Sequence, residues 1–329
     1  MNLTLFNKVY DKILPDIIQT PLEQYKNNIY LKRESLQKTN SFKWNGVLNE
    51  MYTIFDEIVN TNSLVNTYYI TTQSTGNHAI ATTQSYYFLR DKYSDKYPQL
   101  NWNNLRLKIF TNQDVQQKKI HKIEEIVRIN GETPKNIIES SFNNYEQALQ
   151  ARQRLLIEND GKYVSHGGKN ILYGHGVIGY EILREIPEHK SVSFYATVGA
   201  GGTVGIGKCM KLLRKNVTFN LVQTNEFSSF IQSIRNNKIV KNDLSQDVEV
   251  SEGIAVDQPE AFALEIAKEC VDNFITVDTD KVIFLRSETG LGNSTCIAMS
   301  GFLKNKDNDT SDIIVILDCE GNKKETKQK

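Results

Sequence analysis

Charge of one sign, clustered cysteine and long apolar runs are all missing from this sequence, and each absence removes a class of function. Lys+Arg and Asp+Glu both number 39. Without a basic excess there is no electrostatic footprint for nucleic acid or an anionic membrane, so the expected partner is a small molecule. There are only four cysteines, Cys209, Cys270, Cys296 and Cys319, and no two form a CxxC pair. That spacing supplies neither a zinc site nor a disulfide framework, and it suits a reducing compartment. No apolar run approaches the length of a bilayer span. The opening MNLTLFNKVYDKILPD interrupts every apolar stretch with polar or acidic residues, unlike a secretory signal. A cytoplasmic protein is predicted.

What is present is a regular alternation of two periodicities over 329 residues, a length that supports two lobes. The runs at 67–72, 105–111, 191–198, 217–222 and 312–318 are short and rich in β-branched or aromatic residues, which predicts strands. Between them Leu48, Met51, Phe55 and Ile58 recur at helical spacing, as do Ile120, Ile123 and Val127, and 260–271 reads as a further helix. Such alternation predicts an α/β fold with mainly parallel sheets and right-handed crossovers.

Three places carry chemistry. In NSFKWNG (40–46), Ser41 is placed to cap a helix, which puts Lys43 in its first turn. The helix dipole disfavours a cation there by a few tenths of a kcal/mol or so, whereas burial and positive potential suit a neutral, nucleophilic amine. The glycine cluster VGAGGTVGIGK (198–208) follows a strand and precedes a helix. A dinucleotide fingerprint fails at Val204, and a nucleotide-hydrolase loop from Gly202 to Lys208, served by Asp318, has Cys209 where Ser or Thr binds magnesium. A short cup over 199–203 binding one phosphate group is the third possibility, and a loop that only packs is the fourth. The loop TTQSTGNHAIA (71–81) has backbone amides at a helix start that suit a carboxylate.

Seven segments agree in order on one pattern: TPLEQY (20–25), YLKRESLQKTNSFKWNG (30–46), STGNHA (74–79), GHGVIGYEIL (174–183), VGAGGTVG (198–205), SEGIAV (251–256) and VDNFITVDTDKV (271–282). Together they resemble the fold-type-II pyridoxal-phosphate enzymes, and within them the threonine/serine dehydratases and serine racemases. The resemblance implies two lobes, each a mainly parallel sheet flanked by helices. It divides the chain into a large cofactor domain (1–64 plus 149–322), a small mobile substrate-loop domain (65–148) and a flexible tail (323–329). It makes Lys43 the Schiff-base lysine, with Phe42 beside the cofactor and Asn77 on the ring hydroxyl. Gly199, Ala200, Gly201, Gly202 and Thr203 would cradle the cofactor phosphate, with Cys319 against the pyridine nitrogen and Glu288 near the site. Ser74, Thr75, Gly76, Asn77 and His78 would hold the substrate carboxylate, and a homodimer is implied.

The activity implied is β-elimination from a β-substituted amino acid such as serine or threonine, giving a 2-keto acid and ammonia. β-Replacement and racemisation are the alternatives within the fold. A neutral thiol at Cys319 cannot keep the ring nitrogen protonated as a carboxylate would, which favours prompt loss of a β-substituent. The chain departs from the pattern at Thr75, at GAGGT in the cup, and at Asn45, where relatives carry arginine. Gln223 and Ser228 stand where related racemases place cation-binding carboxylates, so no bound metal is expected.

Overall fold

The structure is a computed structural model that describes residues 1–74, 76–112, 117–244, 250–251 and 253–321. Its elements alternate along the chain as α1 (Leu3–Ile13), β1 (Leu22–Lys26), β2 (Ile29–Lys32), α2 (Lys43–Thr61), β3 (Tyr68–Gln73), α3 (Asn77–Lys96), β4 (Leu105–Asn112), α4 (Gln117–Ile129), β5 (Ile138–Phe142), α5 (Tyr145–Glu158) and β6 (Asp160–Tyr163). They continue as α6 (Lys169–Glu185), β7 (Val192–Thr197), α7 (Val204–Leu213), β8 (Val217–Thr224), α8 (Ser229–Asn236), α9 (Ala261–Cys270), β9 (Asn273–Val277), α10 (Thr279–Thr289), α11 (Asn293–Asn305) and β10 (Ile313–Leu317). Among the described residues no helix is long and apolar enough to cross a membrane.

Two compact units result, Met1–Gly46 with His166–Lys329, and Val47–Ser165. The first holds a six-stranded sheet in the order β1-β2-β10-β7-β8-β9. Its pairings are parallel except for the β1–β2 hairpin at the edge. All six residues of β7 are buried, as expected for a central strand covered on both faces. The two-residue period then sorts side chains to opposite sides. Phe194, Ala196, Val315 and Leu317 join residues of α6, α7 and α9 in one apolar cluster, while Tyr195, Ile314 and Ile316 join α11 in another.

The second unit holds four parallel strands in the order β5-β4-β3-β6. Its helix α3 is buried despite a run of hydroxyl residues, because each hydroxyl finds a partner one turn back. Thr82 donates to the His78 carbonyl (2.8 Å), Thr83 to Ala79 (2.8 Å) and Ser85 to Ala81 (2.6 Å). The boundaries of this unit lie outside the 65–148 expected from the sequence. Strand β6 belongs to it because it pairs with β3, and most of α2 because Phe55 stacks on Trp102 and meets Tyr93 edge-on. The tail 323–329 lies outside the described residues, as do Thr75 and Glu252.

Candidate active site

Parallel pairing of β10 with β2 decides what meets Lys43. Past Leu317 the chain runs on beside the segment before α2, and the two are stitched together. Phe42 donates its N–H to the Cys319 carbonyl (3.0 Å), Gly321 donates to Asn40 (3.1 Å), and Ser41 forms a bridge with Glu320. Lys43 is the first residue of α2, as the spacing predicts. The expected Ser41 cap does not form. Held in that bridge, Ser41 is fully buried and its hydroxyl has no hydrogen-bond partner among the described residues. Phe42 is buried, and the Lys43 amine lies 4.6 Å from its ring centroid. Desolvation by burial pushes that amine down to about 8, against the opposing pull of Cys319 and then Glu320. A substantial share of it is therefore uncharged just above neutral pH.

Between β7 and α7, residues 199–203 form a loop whose backbone donors are unused among the described residues. Among the described residues, no carbonyl or side chain accepts from the backbone N–H of Gly199, Ala200, Gly201, Gly202 or Thr203. Hydrogen bonding within the protein resumes at Val204, whose N–H donates to the Gly201 carbonyl (3.0 Å). Gly201 sits at φ +128°, a conformation that side chains disfavour. The Thr203 hydroxyl donates to Thr197 (3.1 Å) and the Thr197 hydroxyl to Ser294 (2.5 Å), which anchors the loop to α11. Five donors unused among the described residues, ahead of a helix N-terminus, form a cup that could hold an anion.

Cys319 is buried, and burial pushes its thiol well up, with Glu320 and Asp318 adding to the effect, so it is neutral. Glu288 departs from expectation. It lies exposed near the end of α10, while the acid that comes to the Lys43 side is Glu320, which accepts from the Ser294 hydroxyl (3.2 Å). Only adjacency to Cys319 could have revealed Glu320 in the sequence. The nucleotide-hydrolase reading loses both its residues. Lys208 pairs with Glu269 (2.8 Å), and Asp318 is taken by Thr295 (2.8 Å), Arg33 (3.0 Å) and Ser35. Gln223 and Ser228 serve the loop before α8: Gln223 donates to Val198 (3.0 Å) and accepts from Ile231 (3.0 Å), and Ser228 donates to Asn225 (3.1 Å).

In the second unit, Asn77 and His78 open α3, with Gly76 as its N-cap residue. Ser74 turns its hydroxyl back onto the Gly76 N–H (3.2 Å). His78 is buried, its Nε2 3.1 Å from the Val164 carbonyl, so that nitrogen carries the proton. Thr75, between Ser74 and Gly76, lies outside the described residues.

The pattern described as pyridoxal-phosphate dependent enzyme matches residues 103–317. The chain belongs to that family. An L-threonine ammonia-lyase of Thermotoga maritima is 25% identical over 258 residues, covering 77% of this chain and 56% of the relative. The chain thus spans little more than half the length of that curated relative. Among solved structures, maize serine racemase is similar with a TM-score of 0.78 at 17% identity, covering 98% of this chain and 93% of that one. The processed threonine deaminase isoform 2 of Solanum lycopersicum gives 0.76 at 22%, covering 99% and 85%. At these identities the two structures establish the fold. The family cofactor suits the first unit, where a cup of amides unused among the described residues follows β7 and a desolvated lysine lies beside the chain that follows the neighbouring β10. Asn45, fully buried, adds a polar group whose amide atoms have no hydrogen-bond partner among the described residues.

Proposed function

We propose that this pyridoxal-phosphate dependent enzyme is a lyase that removes a β-substituent from a serine- or threonine-like amino acid, releasing a 2-keto acid and ammonia. The observation that carries the proposal is the pairing, in one unit, of the five idle amides at 199–203 with a lysine amine lowered to about 8. On this reading the amides of Gly199, Ala200, Gly201, Gly202 and Thr203 hold the cofactor phosphate, helped by the N-terminus of α7. Lys43 would hold the cofactor, and its amine would take the Cα proton as a general base. Pyridoxal phosphate, when bound, supplies the sink for the electrons left at Cα. Cys319 offers the ring nitrogen a neutral thiol and no negative charge. The start of α3, with Ser74, Gly76, Asn77 and His78, takes the substrate carboxylate on its backbone amides. A cytoplasmic homodimer accompanies the reading, with its subunit count open to light scattering.

The test is a panel of serine, threonine and O-acylated serine, each offered with and without a thiol or amine acceptor. Keto acid formed without an acceptor is the expected result. Product only when an acceptor is present would make the enzyme a transferase, and loss of optical rotation without keto acid would make it a racemase.

A further inference from the structure

The imidazole of His175 lies between the cup and the first turn of α2. We propose that His175 is a positioning residue that orients the phosphate cup and holds it in register with the helix start that bears Lys43. The inference rests on the cofactor reading above and adds a residue whose type and spacing did not single it out.

His175 stands on α6 and is fully buried. Its Nδ1 is 3.0 Å from the Gly202 carbonyl oxygen. A carbonyl only accepts, so Nδ1 carries the proton. In a trans peptide the C=O and the following N–H point in opposite directions. Drawing the Gly202 carbonyl toward α6 therefore aims the Thr203 N–H, one of the five cup donors, away from α6. The other edge of the ring faces the lysine helix. A Cβ placed on Gly46 would lie 2.3 Å from His175 Nε2, and one on Gly202 would lie 2.9 Å from Cε1. The Phe42 ring centroid is 4.8 Å from that of His175, with the planes tilted by 46°. One side chain thus fixes a donor of the cup and fills the gap beside Phe42 and Gly46, the residues that flank Lys43 within this turn.

A residue that merely fills space would affect all ligands alike, whereas one that aims a phosphate donor affects only those with a phosphate. Cofactor-free, full-length wild type, His175→Ala and His175→Asn are titrated with pyridoxal 5'-phosphate and with pyridoxal, followed by absorbance. Removing one hydrogen bond to the cup should weaken binding of the phosphate form by about tenfold in His175→Ala, with pyridoxal binding changed by less than about threefold. His175→Asn, whose amide nitrogen reaches the place of Nδ1, should restore most of the difference. If His175→Ala fails to fold, His175→Leu carries the same expectation, since it fills the volume without a donor. An unchanged ratio, or an equal loss for both ligands, would overturn the role of His175 alone. Wild type that gained nothing from the phosphate would overturn the cofactor reading, and this inference with it.

Discussion

Lys43→Ala is expected to abolish the visible absorbance of the loaded protein and to lower turnover by at least about a thousandfold, within the range that loss of a general base alone produces. Borohydride reduction followed by peptide mapping should find the cofactor mass on the wild-type peptide that contains Lys43 and none on the variant. Turnover persisting within tenfold of wild type, or a reduced adduct on another lysine, would remove Lys43 from the site. The same substitution should leave stability intact or improve it. Burial lowers the amine from 10.5 to about 8, so the folded state gives up its proton earlier than the unfolded state. Below about pH 8 the amine is charged in both states and the folded one bears the cost of desolvating it. Between about 8 and 10.5 the unfolded chain binds more protons, so the contribution of Lys43 to stability rises with pH. Cofactor-free Lys43→Ala should therefore melt at or above the wild-type temperature near pH 7, with the gap closing toward pH 10. A residue that harms the fold at the pH where it is used is kept for its chemistry.

The parts of this molecule that were legible in the sequence are those written in local pattern. Strands β3, β4, β7, β8 and β10 show as β-branched and aromatic runs because each is central or covered, and the glycine cup lies between a strand and a helix as its spacing implies. Short strands with polar ends were not legible. β1 (LEQYK) and β2 (IYLK) have too few residues for a period, yet β2 pairs with β10 and so brings Cys319 and Glu320 to Lys43. Glu288 and Ser41 differ from expectation for separate reasons. Glu288 is placed by the resemblance and Ser41 by the local rule of a hydroxyl before a helix, whereas in the fold Glu288 is exposed and pairing with Glu320 locks Ser41 into a bridge. His175 lies in GHGVIGYEIL (174–183), but nothing on its own helix discloses that it meets Phe42 and Gly202. The burial of Lys32, Glu34 and Glu181 together is not legible in the sequence, because charged residues ordinarily face water.

Lys32→Met is the substitution expected to cost the fold most, about 3–5 kcal/mol at pH 8, because it strands buried carboxylates. Lys32 and Glu34 are fully buried and Glu181 nearly so. The Lys32 amine donates to Glu181 and to the Thr20 carbonyl, and lies 3.9 Å from Glu34, which also accepts from the Thr20 hydroxyl. Burial pushes Glu34 up to about 7; Lys32 pulls it down, and Glu181 and Asp318 push it further up. Glu181 is raised as well, by burial, with Lys32 again opposing. Raised carboxyl groups bind protons more tightly in the folded state. Their stabilising contribution is present in full below the ordinary value of 4.5 and is lost as pH rises through about 7. Without Lys32 both groups shift further in the same direction, so the loss should be small near pH 5 and large near pH 8. Urea unfolding at the two pH values measures it, and an equal loss at both, or one below about 1 kcal/mol at pH 8, would contradict the account. Lys32→Met with Glu181→Leu should recover most of the stability, since an apolar pair of similar volume replaces the ion pair. The effect should extend to the site. Lys32 is the register partner of Leu317 and its carbonyl accepts from the Asp318 N–H (3.0 Å), so the ion pair underpins the segment that brings Cys319 and Glu320 to Lys43.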